Sequence, residues 1–170
     1  MRKILIGLVA CAALAAPLVA ATAANASVAA EPMTERQAGK FYQDKACQVN
    51  LAHERLGNKV WRGREFIKTS EVQRRLKEVT YETDRYGKAV LKFATKLLNP
   101  PAPWPDSVGG LSEKLANANI KLGTLVRNAG TASSGREWSY YWGKARRVDF
   151  GQLAARIRAT LDLPPSGEGC

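Results

Sequence analysis

The chain has 170 residues, of which 45% are hydrophobic, so it is long enough for one globular domain with a hydrophobic core and too short for several. Lysine and arginine number 26 against 15 aspartate and glutamate residues, which gives a formal net charge of +11. A surplus of this size favours association with anionic partners.

The amino-terminal stretch has the three-part pattern of a secretory signal peptide. Arg2 and Lys3 precede a long uncharged apolar run, and small residues follow up to an Ala-x-Ala motif at 24–26. This pattern predicts a signal peptide over 1–26, with cleavage after residue 30 as the alternative. The mature protein is therefore expected outside the cytoplasm, either secreted, periplasmic or associated with a cell wall.

Two other interpretations of this stretch stay open. A retained membrane anchor is disfavoured by Pro17 and by the alanine-rich end of the run, and no second apolar run of about 18 residues follows. The second interpretation is a lipoprotein anchored at Cys11, because residues 8–11 have the form of a lipid-attachment motif. That reading would shorten the apolar core to 4–10, the lower limit for a leader.

Removal of the leader leaves two cysteines, Cys47 and Cys170. An even pair in an exported chain predicts one disulfide, which would fasten a flexible tail over 164–170 to the first helix. An intermolecular disulfide and two free thiols are the alternatives.

The first helix is predicted to start at Thr34, because Thr34 and Gln37 have the spacing of a capping box. Apolar residues then recur at steps of three and four, which predicts one buried face that includes the only histidine. The members of this face are Ala38, Phe41, Tyr42, Ala46, Val49, Ala52, His53, Leu56 and Val60. Cys47 lies off this face, where a tail crossing the outside of the helix would reach it.

A long second helix is predicted from Glu71 to Leu98, with Ser70 as its cap. Its apolar residues alternate steps of four and three, which is typical of a coiled-coil-like seam. The predicted seam consists of Val72, Leu76, Val79, Thr83, Tyr86, Val90, Phe93 and Leu97. Prolines between 100 and 105 end the helix, because proline lacks a backbone donor and restricts the residue before it.

A third helix is predicted over 108–129 and ends at Gly130. Helical periodicity resumes in 136–162, as one kinked helix or two, and Asp149 and Gln152 have the spacing of another capping box. No run of alternating strand residues occurs. The prediction is an all-α domain over 31–163, a small antiparallel bundle of three to five helices.

The densest charge cluster lies in 55–77, where eight basic residues stand against Glu65 and Glu71. In a cytosolic protein this cluster would suggest nucleic-acid binding. The predicted export argues against nucleic acid and favours anionic lipid, wall polymer or acidic polysaccharide, with a merely solvated surface as the alternative. The candidate anion-binding residues are Arg55, Lys59, Arg62, Arg64, Lys68, Arg74, Arg75 and Lys77.

Aromatic residues accompany the basic ones. Trp138 and Trp142 lie one helical turn apart and precede Lys144, Arg146 and Arg147, which favours a place in the core, with a surface for a sugar ring or a membrane as the alternative. Trp61 and Tyr140 are the candidate aromatic contacts, since aromatic side chains beside basic ones suit a sugar ring or a membrane surface. His53 lacks metal-ligand partners, and no catalytic or cofactor motif is found, so neither a metal nor a cofactor is predicted.

The sequence thus predicts an exported, non-enzymatic binding module that docks on an anionic surface. One alternative is an exported helical enzyme that uses Lys45, Arg75, Arg85 and Arg127 to bind an anionic small molecule. The other is a secreted inhibitor or partner-capping protein, which would present a contiguous apolar patch.

Overall fold

A computed structural model describes residues 30–165, 167, 168 and 170, so the predicted leader over 1–26 and Cys11 lie outside the described residues. The helices are α1 (Glu35–Leu56), α2 (Thr69–Arg74), α3 (Leu76–Leu98), α4 (Asp106–Gly130), α5 (Gly135–Ala145) and α6 (Gly151–Thr160), and a π-helical turn at Gly57–Trp61 follows α1 directly. The part of the chain that the structure describes is a helical bundle, which confirms the predicted all-α fold. Among these residues, no helix combines the length and apolar character that crossing a bilayer requires.

The antiparallel pair α3 and α4 forms the centre of the bundle. A Cβ atom placed on Gly130 at the end of α4 would lie 2.5 Å from the backbone nitrogen of Asp84 in α3. A Cβ on Gly123 would lie 2.7 Å from Cγ of Leu91. The two helices therefore pack backbone against backbone along this line, which only glycine permits.

The first predicted helix start is confirmed. The backbone nitrogen of Thr34 donates to the side-chain oxygen of Gln37 at 2.8 Å, and the nitrogen of Gln37 donates to Oγ1 of Thr34 at 3.3 Å. This reciprocal capping box satisfies backbone donors that the first turn of α1 would otherwise leave unpaired.

The predicted single helix from Glu71 to Leu98 is wrong at its first turn. The chain forms α2, leaves helical geometry at Arg75 (φ −112°, ψ 24°) and resumes as α3. Ser70 is not the cap, because α2 begins at Thr69 after Lys68, whose side chain makes no capping hydrogen bond. The apolar spacing stays regular across Arg75, so this spacing alone does not reveal that the helix is interrupted there.

Two helices form between 136 and 162, which resolves the question that the sequence left open. Asp149 does not cap the second of them, since Phe150 occupies the position before α6 and makes no side-chain capping bond. With the division at Arg75, the described helices number six rather than three to five.

The core of the described part of the chain has two clusters of buried residues. One surrounds Leu56, Val72, Val126 and Trp138, and the other surrounds Tyr42, Phe93, Leu115 and Ile157. The predicted seam, which runs from Val72 of α2 into α3, supplies both clusters, and every member except Leu76 is buried.

A buried hydrogen bond joins α3 to α5 in the first cluster. Nε1 of Trp138 donates to Oγ1 of Thr83 at 3.0 Å, and Oγ1 of Thr83 donates to the carbonyl of Val79 at 2.6 Å. The polar residue in the apolar seam therefore fixes the orientation of the buried indole.

The tail lies back over α1, as predicted. Cys47 and Cys170 form a disulfide with their Cα atoms 5.4 Å apart across a sequence separation of 123. A loop of that length stabilises the folded state by about 4–5 kcal/mol in the chain-entropy description.

Arg158 of α6 adds a second attachment for the tail. Its side chain is only 4% exposed, and its Nη1 donates to the carbonyls of Pro164 and Pro165. The guanidinium lies 5.8 Å from the centre of the Tyr42 ring, and burial raises the pKa of that tyrosine although Arg158 opposes the rise. The tail is thus held to the bundle at both of its ends.

Candidate functional site

The predicted cationic segment, residues 55–77, comprises the end of α1, the π-helical turn, the loop over 62–68, α2 and the first residues of α3. Half of its basic residues bind carboxylates. The pairs are Arg55 with Glu82 at 3.0 Å, Arg62 with Glu78 at 3.4 Å, Arg64 with Glu71 at 2.6 Å, and Arg75 with Glu71 at 3.1 Å and with Glu78 at 3.0 Å. Four of the eight predicted anion-binding side chains are therefore occupied in holding the fold.

Arg75 connects the helix break to the π-helical turn. Its Nη2 donates to the carbonyl of Lys59 at 2.5 Å, and its Nη1 donates to the carbonyl of Val60 at 3.2 Å. These carbonyls belong to a turn whose own hydrogen-bond pattern is irregular. The departure from helix at Arg75 thus coincides with a side chain that reaches back and satisfies the preceding turn.

Glu71 lies between two arginines. Arg64 binds both of its carboxylate oxygens, at 2.7 and 2.6 Å, and Arg75 binds one of them. Hydrogen bonding to Arg64 and Arg75 lowers the pKa of the Glu71 carboxyl from 4.5 to about 2. The two arginines therefore have a fixed counter-charge over most of the pH scale.

The side chains of the other four basic residues make no hydrogen bond or ion pair with any residue that the structure describes. They are Lys59, Lys68, Arg74 and Lys77. All four side chains are exposed. The net positive charge that the segment offers to a partner is carried by these residues.

Two of these cations border a cleft at the α2–α3 junction. Arg74 and Lys77 line it together with Leu76 and Tyr81, and its volume is about 580 Å³. Tyr81 is 59% exposed. Arg75 and Glu78, which bind each other, complete its lining, so the cleft combines apolar side chains with two unpaired cations.

The loop over 62–68 exposes an aromatic side chain between cations. Phe66 is 63% exposed, and Arg64 and Lys68 lie on either side of it in sequence. The loop begins with two positive φ angles, 52° at Arg62 and 76° at Gly63. A left-handed arginine costs roughly 1–2 kcal/mol, so the sharp exit from the π-helical turn is maintained against backbone strain.

Three tryptophans from two elements form one cluster beside this loop. The ring centre of Trp61 lies 5.1 Å from that of Trp142 and 6.4 Å from that of Trp138. The rings of Trp138 and Trp142 stack at 5.4 Å with planes 9° apart. Trp138 is buried, as predicted, whereas Trp61 and Trp142 are half-buried.

The half-buried indoles line an open groove of about 740 Å³, which we call the indole groove. Its walls come from the end of α1, the π-helical turn, the following loop and the end of α5. Besides Trp61 and Trp142, the lining residues are His53, Glu54, Gly57, Asn58, Gly63, Arg64, Glu65 and Arg146. The sequence singled out Trp61, and it weighed Trp142 and Arg146 only as a separate cluster for which the core was favoured. It missed Glu54 and Asn58.

Tyr140, the other predicted aromatic contact, lies outside this groove. It is 56% exposed, and its hydroxyl accepts a hydrogen bond from Nζ of Lys144 at 2.5 Å. The structure therefore does not bring Trp61 and Tyr140 together.

His53 differs from its predicted place on the buried face of α1. Its side chain is exposed, and its ring centre lies 5.2 Å from that of Tyr86. Partial burial lowers the pKa of His53, and burial raises the pKa of Tyr86 to about 12. Among the described residues, no group of three or more histidine, cysteine, aspartate or glutamate side chains is arranged to hold a metal ion.

The cations of the predicted enzyme alternative lie on separate elements with separate neighbours. Lys45 lies 5.7 Å from the centre of the Phe41 ring, and Arg85 lies 5.8 Å from that of Tyr81. Arg127 donates to Asp84 at 3.2 Å, and Arg75 binds the glutamates described above. The four do not converge on one anion-binding pocket.

No family model, curated protein or solved structure matches the chain. The geometry of its own residues is therefore the basis for a functional proposal.

Proposed function

We propose that the protein is an exported, non-enzymatic binding module whose cationic segment docks on an anionic surface. The observation that carries this proposal is the set of four exposed cations without carboxylate partners in residues 59–77. Ion pairs neutralise the four other basic side chains of the segment, so these four cations carry the charge that it offers to a partner.

The fold supports docking because the cations belong to a braced platform. Arg75 and Glu71 tie α2, the loop and the π-helical turn together through the contacts given above. Uncommitted cations on a rigid frame lose less conformational freedom on binding than cations on a flexible tail. The platform therefore suits a surface of many closely spaced anionic groups.

Exposed aromatic rings favour a lipid surface among the possible polyanions. Phe66 lies between cations in the loop, and Tyr81 borders the cleft with Arg74 and Lys77. An aromatic ring beside basic groups suits the boundary between head groups and acyl chains. The disulfide is in keeping with the predicted export, since such bonds persist in oxidising compartments.

The test is binding to vesicles of phosphatidylglycerol in phosphatidylcholine. Each cation near an anionic membrane contributes about 1 kcal/mol, so replacing Lys59, Lys68, Arg74 and Lys77 by glutamine should weaken binding by about a thousandfold. Raising the salt concentration should weaken the wild type in the same direction. Co-sedimentation measures both effects.

The matched control removes equal charge elsewhere. Lys92, Lys96, Lys114 and Lys121 are exposed on α3 and α4 and make no ion pair with a described residue. Their replacement by glutamine should weaken binding far less than the segment variant. Equal losses in the two variants, salt-independent binding, or no binding to anionic vesicles would each contradict the proposal. Binding to a soluble acidic polysaccharide without binding to vesicles would reassign the surface from lipid to polymer.

A further inference from the structure

The indole groove differs in charge from the cationic segment next to it. Arg64 is bound to Glu71, so the unpaired charged residues of its lining are Glu54, Glu65 and Arg146, and burial lowers the pKa of His53, which disfavours its cationic form. A groove without surplus positive charge does not attract a polyanion as the cationic segment does. Its ligand is therefore to be sought among neutral polar molecules.

The aromatic wall of the groove is held in place before any ligand arrives. Trp142 stacks on the buried Trp138, and Trp61 contacts both rings. The hydrogen bond from Trp138 to Thr83 fixes the ring beneath them. A preformed aromatic surface loses little entropy on binding, which is typical of small-molecule sites.

Two hydrogen-bond donors of this wall have no partner within the described chain. Trp104 and Trp138 donate their indole N–H groups to Leu97 and Thr83, but Trp61 and Trp142 make no such bond. Neither of these N–H groups is buried, because the only buried side-chain nitrogen or oxygen left unpaired among the described residues belongs to Arg158. Both are accessible for donation to a ligand.

The rim supplies further planar polar groups. Glu54, Asn58, Glu65 and Arg146 are exposed, and their side chains form no hydrogen bond or ion pair with the described residues. Carboxylate, amide and guanidinium groups each present two polar atoms at a spacing that matches neighbouring hydroxyls. Aromatic faces surrounded by such groups match the chemistry of a pyranose, which has an apolar C–H face and a rim of hydroxyls.

We propose that the indole groove binds pyranose rings of a neutral, β-linked glycan. The planes of Trp61 and Trp142 are 48° apart, so the two rings offer adjacent tilted surfaces, and equatorial linkages leave the faces of neighbouring sugar rings free to contact them. The volume of about 740 Å³ lies within the range of about 300–1,000 Å³ that small-molecule sites occupy. This site goes beyond anionic docking, since it uses the tryptophans and the polar rim and none of the four uncommitted cations.

The shape of the backbone at the groove agrees with a binding role. The wall is built on the π-helical turn Gly57–Trp61 and on the left-handed residues Arg62 and Gly63. Short π-helical turns occur frequently at functional sites, and backbone strain persists where the surrounding structure holds it in place. This arrangement brings Trp61 to within ring contact of Trp142, which is distant in sequence.

The test titrates the purified protein with cello-oligosaccharides and chito-oligosaccharides and follows tryptophan fluorescence and heat. The malto-oligosaccharides, whose α-linkages bend the chain, serve as the ligand control. Saturable binding of a β-linked series is expected, with an affinity that changes less than about twofold between low and high salt. Trp142→Ala should weaken it by about ten- to a hundredfold, as loss of a stacking ring does for other planar ligands.

Matched variants separate binding from folding. Tyr140→Ala removes an exposed aromatic side chain outside the groove and should leave the affinity unchanged. Asn58→Ala changes an exposed rim residue without touching the core and should weaken binding by several-fold while the circular dichroism spectrum stays native. The variant that lacks Lys59, Lys68, Arg74 and Lys77 should keep its glycan affinity, so failure of anionic docking and failure of glycan binding are told apart.

Several outcomes overturn the proposal. One is the absence of any saturable signal with either β-linked series. Another is undiminished affinity in both Trp142→Ala and Asn58→Ala when both are folded. A third is preference for a nucleotide over every oligosaccharide, which would assign the same aromatic wall to base stacking instead.

Discussion

The α3–α4 pair and residues 57–75 of the cationic segment are stabilised by different kinds of interaction. In the seam, apolar side chains recur regularly and glycines let the two backbones meet, as at Gly130 and Asp84. In the segment, a π-helical turn, a left-handed residue, a loop and a broken helix follow one another. Its stability comes from ion pairs and from side-chain bonds to backbone carbonyls, such as those of Arg75.

The difference explains where the candidate sites lie. The buried side chains between α3 and α4 are not accessible to a ligand. The cationic segment, in contrast, exposes its unpaired cations, Phe66 and part of Trp61. The seam in turn fixes the segment, because Thr83 of α3 holds Trp138, against which Trp61 packs. The α3–α4 pair therefore provides the rigid frame, and the cationic segment provides the candidate binding residues.

The largest loss of stability is expected from adding a side-chain atom where α3 and α4 are in close contact. Gly130→Ala would place a Cβ atom 2.5–2.7 Å from backbone and Cβ atoms of Asp84, so the two helices must move apart. Overpacking of this kind costs about 1–3 kcal/mol in the free energy of unfolding. Urea denaturation followed by circular dichroism measures the loss.

Gly110→Ala is the matched control in the same helix. A Cβ atom at this position meets no heavy atom within 4 Å. Alanine is the better helix former, so this variant should be more stable than the wild type by up to about 1 kcal/mol. If both variants gained stability, the close approach of α3 and α4 would be contradicted.

The seam was largely predictable from the sequence, for a physical reason. Apolar periodicity reports which side of a helix is buried, and it identified seven buried members of the predicted seam, six in α3 and Val72 in α2. The same reasoning assigned Gly130 only the role of ending α4. Its second role depends on the distance to another helix, and no local pattern contains that distance.

The second prediction concerns the strained exit from the π-helical turn. Arg62 has φ 52°, which glycine adopts without strain, so Arg62→Gly should be more stable than Arg62→Ala by about 1 kcal/mol. Both variants lose the exposed ion pair with Glu78, so that loss cancels in the comparison. Thermal unfolding of the two proteins gives the difference, and equal melting temperatures would count against a left-handed conformation at residue 62.

The candidate sites were only partly predictable. Counting charges located the segment, but the sequence could not divide its cations into paired and unpaired ones, because Glu78 and Glu82 approach from α3 through the tertiary fold. Trp142 was interpreted as a core residue because its contact with Trp61 also depends on the tertiary fold. Its exposed part becomes a groove wall only when the π-helical turn brings Trp61 against it.

The smallest effect is expected from the ion pairs of the segment, and it depends on pH. The folded-state pKa of Glu71 is about 2, below its ordinary value of 4.5, so its stabilising contribution is complete above pH 4.5 and is lost as the pH falls towards 2. Glu71→Gln lacks this contribution at every pH and should lose less stability on acidification than the wild type.

Glu65→Gln removes the same charge from an exposed residue that forms no ion pair with the described part of the chain, and should follow the wild-type curve. Urea midpoints measured across this pH range compare the three proteins. Parallel curves for wild type and Glu71→Gln would mean that Arg64 and Arg75 do not hold the carboxylate, and that the platform beneath the free cations is looser than its contacts indicate.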